Sequence, residues 1–243
     1  MFNLINSIFC EKGFKTFGQD DCKIEDLHGI SYFFAANQTG KKEYYIVILL
    51  SDINVKQLYH LIKGDFFSRC FNSIKSSKNI YEKEVDKNSS MLICYEVSSN
   101  NVENKELLQR VIYEIEEDPY FFKKNVLSYS TEQVNAIKKI IDEQQIILSL
   151  EKQLSNIDNF RKFKANPAAV VDYEFLTKLF IKLPFLNLTN IELGKLKNLK
   201  SKIVDELKNK NLTLDHKLIT HLAELELDTF EIDELDDLIL KME

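Results

Sequence analysis

Two carboxylates at the ends of neighbouring strands can hold Mg²⁺ beside a lysine that orients the attacking water, as in nucleases of the restriction-enzyme type. Asp52 follows the apolar run Tyr45 to Leu50, and Glu96 lies in the run Met91 to Val97. The third member is missing, because Glu96-Val97-Ser98 puts serine where the acid-x-Lys pair has lysine. Half-matches of this kind arise by chance in a chain with 38 acidic residues. The preferred reading takes Asp52 as a helix N-cap and Glu96 as an ordinary polar strand position, with a Mg²⁺-dependent nuclease or its inactive descendant as the alternative.

Other chemistry finds less support. The four histidines are His28, His60, His216 and His221, and the last two stand five apart rather than the three or four that would align them on one helix face. No GxSxG, Gly-rich phosphate loop, HExxH or paired-cysteine motif occurs, and six glycines leave little material for a nucleotide cradle. Cys10, Cys22, Cys70 and Cys94 are widely spaced, and the hydrophobic neighbours in Phe9-Cys10 and Leu92-Ile93-Cys94 predict buried packing. The expectation is a protein with no catalytic residues, no metal and no cofactor.

Charge narrows the partners. A net charge of -6 disfavours a general nucleic-acid binder, which would neutralise phosphates with Lys and Arg. Only Arg69, Arg110 and Arg161 could give bidentate phosphate recognition. The cysteine pattern, the lack of a basic stretch before the apolar start and the lack of a long apolar run predict a reduced, cytoplasmic protein without a membrane span.

The elements that must position any site centre on Met91 to Leu127. Met91 to Val97 reads as a buried strand, and Ser98 to Asn104 supply turn chemistry. Leu107, Leu108, Val111, Ile112 and Ile115 then recur at helical spacing. Pro119 disfavours helical geometry at Asp118, so the helix ends near there or restarts with Pro119 at a first position.

The segment from Glu116 to Lys124 has two readings. In one it is a helix end, with Tyr120, Phe121 and Phe122 closing over the sheet and Lys123 and Lys124 in water. In the other it binds a partner, since three adjacent aromatics cannot all face one core and an outward ring beside charges is an interface anchor. The partner-contact set is then Glu116, Glu117, Asp118, Pro119, Tyr120, Phe121, Phe122, Lys123 and Lys124.

The run Tyr113-Glu114-Ile115-Glu116-Glu117-Asp118-Pro119-Tyr120-Phe121-Phe122-Lys123-Lys124-Asn125-Val126-Leu127, after a strand and a helix, resembles the signature of the middle component of bacterial ABC-three-component systems, a group that includes Lamassu-type antiphage defence. The resemblance implies a small non-catalytic adaptor subunit that holds an SMC-like ABC ATPase and an effector, often a nuclease, in one complex. Any contact with DNA would then be indirect, through the complex. The resemblance favours the interaction reading of residues 116–124.

Along the remaining chain, Phe2 to Phe9 suggests a short helix. Gly29 to Ala36 and Glu43 to Leu50 predict a hairpin, and the nearly continuous apolar character of Tyr45 to Leu50 predicts a strand covered on both faces, with Met91 to Val97 as neighbour. Asn54 to Ile62 and Asp65 to Ile74 read as two helices broken at Gly64, and Ser76 to Ser90 as a loop. Ser130-Thr131-Glu132-Gln133 is a capping box that opens a helix of roughly 24 residues to Leu154, about twice the mean length for a globular protein. Further helices are expected in 168–182, from Thr189, in 214–225 and in 232–242. The last third carries lysines (Lys195 to Lys210) and then acids (Glu224 to Glu243), which read either as solvated faces or as an acidic docking surface.

The fold class expected is α+β: a small, mostly antiparallel sheet with flanking helices in residues 1–128, followed by an all-helical region in 129–243 that could serve as a partner-docking module.

Overall fold

A computed structural model describes residues 1–24, 29–37, 42–51, 53–77, 80, 82–97, 105–167 and 170–188. Its sheet has five strands: β1 (Lys15–Phe17), β2 (Ser31–Asn37), β3 (Glu43–Leu50), β4 (Ser89–Glu96) and β5 (Lys123–Tyr129). They lie side by side in sequence order. β2 pairs antiparallel with β1 and with β3, which confirms the expected hairpin, with Phe34 opposite Ile46. The β3–β4 and β4–β5 pairs are parallel, so the α+β class stands with a mixed sheet in which two pairings of each kind occur.

Parallel neighbours need crossovers, and helices supply them. Between β3 and β4 run α2 (Val55–Lys63), α3 (Phe66–Ser76) and the short α4 (Val85–Asn88); α5 (Lys105–Glu116) joins β4 to β5. Asn54 opens α2 with a capping box, its side chain accepting from the Gln57 N–H at 2.9 Å. Part of the stretch expected as a loop in 76–90 is thus α4 and the start of β4, with Ile80 and Val85 in the core.

Both sheet faces are covered, which explains strands that are apolar at nearly every position. Successive side chains point to opposite faces. Ile46 and Ile48 of β3, Ile93 and Tyr95 of β4 and Val126 of β5 join one core cluster with α2, α3 and α5. Val47, Leu92, Cys94, Leu127 and Tyr129 join a second cluster with four more helices. These are α1 (Phe2–Glu11), α6 (Thr131–Ile140), α7 (Ile146–Leu154) and α9 (Val171–Lys182). α8 (Ile157–Ala165) buries no residue.

Three expectations are corrected here. The long helix from 131 to 154 is two helices, because Asp142 forms a turn: its side chain accepts from the Gln144 N–H at 3.0 Å and its carbonyl from the Gln145 N–H at 3.0 Å. The boundary expected at 128/129 does not divide the described chain. Residues 1–190 form one compact unit, since α6, α7 and α9 bury their apolar faces on the sheet itself. Cys10 is exposed, although Cys22, Cys70 and Cys94 are buried as free thiols. The expected helices after Thr189, the charged final third, His28, His216, His221 and Asp52 lie outside the described residues.

Candidate protein-interaction surface

α5 ends at Glu116, three residues before Pro119, and the chain enters β5 at Lys123. Between them the backbone makes a narrow turn. Tyr120 O accepts from the Phe122 N–H at 2.8 Å, closing a three-residue turn around Phe121, whose φ is +66°. Among the described residues Phe121 is the only non-glycine at positive φ, a conformation that costs an L-residue about 1–2 kcal/mol.

One buried lysine holds this turn. Strand alternation puts Lys124 on the same face as Val126, towards α3, and leaves its side chain with 0 % exposure. Its Nζ donates to Asp118 Oδ1 at 2.7 Å, to the carbonyls of Asp118 at 3.0 Å and Phe122 at 3.2 Å, and to the carbonyl of Tyr120. It also lies 4.7 Å from the centre of the Phe67 ring. A buried charge is tolerated only when paired and hydrogen-bonded, and this ammonium has both kinds of partner. Asp118 additionally accepts from the Tyr120 N–H at 2.9 Å. Burial pushes the Asp118 carboxyl up, but Lys124 and the Tyr120 N–H together outweigh it and hold the group below the usual carboxylate range.

The nine residues expected as partner contacts divide accordingly. Tyr120 is 67 % and Phe121 44 % exposed, and Glu117, Pro119 and Lys123 are also exposed. Phe122 is core, packed edge-on to Phe71 at 5.4 Å, and is not available to a partner. Lys124 is internal, contrary to the expectation that it sits in water or at an interface. Glu116 is engaged within the unit, accepting from Lys182 Nζ of α9 (2.7 Å to Oε2) and from the Val126 N–H at 2.7 Å. Lys124 and Glu116 thus serve to fix the turn that displays Tyr120 and Phe121.

A cavity of about 300 Å³ opens beside the turn, lined by Lys63, Phe67, Glu114, Asp118, Tyr120 and Phe121 among others. Of the carboxylates first considered for chemistry, only Glu96 is among the described residues. Glu96 accepts from the Thr131 hydroxyl at 2.7 Å, at the start of α6. Among the described residues no three His, Cys, Asp or Glu side chains gather as a metal site. No helix among them is long and apolar enough to cross a membrane.

Residues 43–158 match the family model described as ABC-three component (ABC-3C) system Middle Component 1. Over that region, a little under half of its length, the chain is similar to the ABC-3C middle components. The match begins at β3 and ends within α8, so the Middle Component 1 region contains the whole Lys124-held turn and the α2, α3 and α5 layer behind it. Neither curated proteins nor solved structures give a significant match. The sequence lacked any sign of which of two adjacent lysines is internal; only the assignment of residues 123–129 to a strand, with 122, 124 and 126 on one face, reveals it.

Proposed function

We propose that the chain is a non-catalytic adaptor subunit in the cytoplasm of a bacterium. In this role it links an SMC-like ABC ATPase to an effector in an antiphage complex of the Lamassu kind, touching a partner with Tyr120 and Phe121. The observation that carries the reading is the strained turn itself. Unfavourable backbone persists where the surroundings enforce it, and it clusters at sites of recognition. Here a buried ammonium and a core phenylalanine enforce a conformation that puts two aromatic rings in solvent. The middle-component region contains that turn, which fits a role among several subunits.

The test is to substitute Tyr120→Ala and Phe121→Ala in the full chain, co-expressed with the products of its neighbouring genes. Each variant should keep the thermal midpoint of the free protein, while at least one weakens the complex by roughly 30-fold, as loss of a ~2 kcal/mol aromatic anchor would. Phe122→Ala should instead lower the midpoint, as a core substitution costing ~3–5 kcal/mol does. Co-purification unchanged by both exposed-ring variants would reject the turn as the contact. Mg²⁺-dependent DNA cleavage by the purified chain, abolished by Glu96→Ala, would reject the non-catalytic role.

A further inference from the structure

α2 and α5 lie side by side on one face of the sheet and leave a groove between them. Its main cavity, about 260 Å³, is lined by Lys56, Tyr59 and His60 of α2 and by Leu107, Arg110, Val111 and Glu114 of α5. Glu114 also lines the cavity beside the turn, so the two hollows adjoin. On α5 the lining positions 107, 110, 111 and 114 recur at helical spacing, so they form one face of the helix. From Leu107 to Glu114 the groove runs about 10 Å, at 1.5 Å per helical residue, which accommodates about two turns of a docked helix.

Its charge is one-sided. Lys63 Nζ lies 3.0 Å and Arg110 Nε 3.1 Å from Glu114, so two cations share one carboxylate. Both hold the Glu114 carboxyl below its ordinary range, Lys63 the more strongly. Lys56 adds a third cation on the rim, and the nearby Asp118 carboxylate is already bound to Lys124. A chain of net charge -6 therefore presents a groove with excess positive charge around a floor of Tyr59, Leu107 and Val111.

We propose that this groove docks an amphipathic helix of a partner protein, its apolar stripe on the floor and flanking carboxylates against Lys56, Lys63 and Arg110. The proposal rests on the reading of this face as an interaction surface and adds the chemistry of the partner. Apolar floors with charged rims are the helix-in-groove arrangement, in which the stripe gives affinity and the charges give orientation and partner choice. Nucleic acid fits less well, since phosphates gain nothing from an apolar floor.

The experiment uses the full chain and a fluorescein-labelled 18-residue helical peptide with a leucine stripe flanked by glutamates, alongside versions with the glutamates replaced by lysine or the leucines by serine. Fluorescence anisotropy should show the glutamate peptide binding at least tenfold tighter than either control. Lys56→Glu combined with Arg110→Glu, both exposed positions, should abolish or reverse the glutamate preference while circular dichroism stays unchanged. Equal binding of the three peptides, no binding, or indifference to the double substitution would overturn the proposal. Binding of a 20-base-pair duplex that the same substitutions remove would overturn it in favour of nucleic acid. The two readings can fail separately. If the peptide behaves as expected but Tyr120→Ala and Phe121→Ala leave the native complex intact, the turn fails and the groove stands; the converse result removes the groove alone.

Discussion

Lys124 shows how one side chain can decide the shape of a recognition element. Its ammonium has three N–H donors for four oxygen acceptors, three of them carbonyls of the turn, so at least one donor is shared. Lys124→Met keeps the apolar stem but leaves those carbonyls and the Asp118 carboxylate without their donor. Breaking a buried pair from one side typically costs about 3–5 kcal/mol. Urea denaturation should show a loss of that order, and a loss under 1 kcal/mol would mean that the turn is held by other contacts. The pH dependence follows from Asp118. Its folded pKa lies below that of the unfolded chain, ordinarily about 3.9. Its contribution is therefore fully present above the unfolded value and lost as pH falls through the lower folded value. The stability difference between the wild type and Asp118→Asn, followed by denaturation from pH 7 to pH 2, should hold to about pH 5 and shrink below pH 4. A difference that stays constant to pH 2 would remove Asp118 as the titrating group. None of this was legible in Lys123-Lys124, because lysine is depleted in strands and both residues read as solvated. The aromatics were more legible: three consecutive rings required at least one to face outward, and two do.

At the scale of elements, the signals that succeeded were local and redundant. The β2–β3 hairpin, α5 and its end before Pro119, and the break at Gly64 between α2 and α3 each had pattern and punctuation in agreement. The capping box at Ser130 is present as expected, with its hydroxyl accepting from the Gln133 N–H at 3.2 Å and Gln133 Oε1 accepting from the Ser130 N–H at 3.0 Å. Ser130→Ala should cost about 1 kcal/mol, read as a lower urea midpoint at unchanged slope. No measurable change would mean that packing alone positions α6. β5 escaped notice because its first half, Lys123-Lys124-Asn125, lacks strand propensity; the parallel ladder with β4, from Ser90 opposite Lys123 to Glu96 opposite Tyr129, determines it instead. Likewise the apolar period of residues 131–154 continues through Ile140 and Ile141, and only the Asp142 turn, a side chain competing with the helical backbone, interrupts it.

For the whole molecule the deciding fact is that the sheet has two apolar faces, one of them closed by chain that follows β5. Val47, Leu92 and Leu127 point into the cluster that α6, α7 and α9 complete with Val134, Ile137, Ile147, Leu150, Phe175, Leu176, Leu179 and Leu183. A boundary at residue 128 looked natural because strand-like patterns stop there, yet a change of secondary structure says nothing about where a core closes. Burying a side chain of this size contributes about 1.5–3 kcal/mol, so those eight represent roughly 12–24 kcal/mol. That is comparable with, or larger than, the 5–15 kcal/mol net stability of an ordinary domain. A fragment of residues 1–128 would keep only α1 on that face and should not fold. A fragment of residues 1–190 retains every described residue of both core clusters and should fold alone, because no described core position lies beyond Leu186. Thermal denaturation followed by circular dichroism should give one cooperative transition for 1–190 and none for 1–128. A cooperative transition in the shorter fragment would show that the first face and α1 suffice to hold the sheet, and that the helices after β5 are dispensable to it.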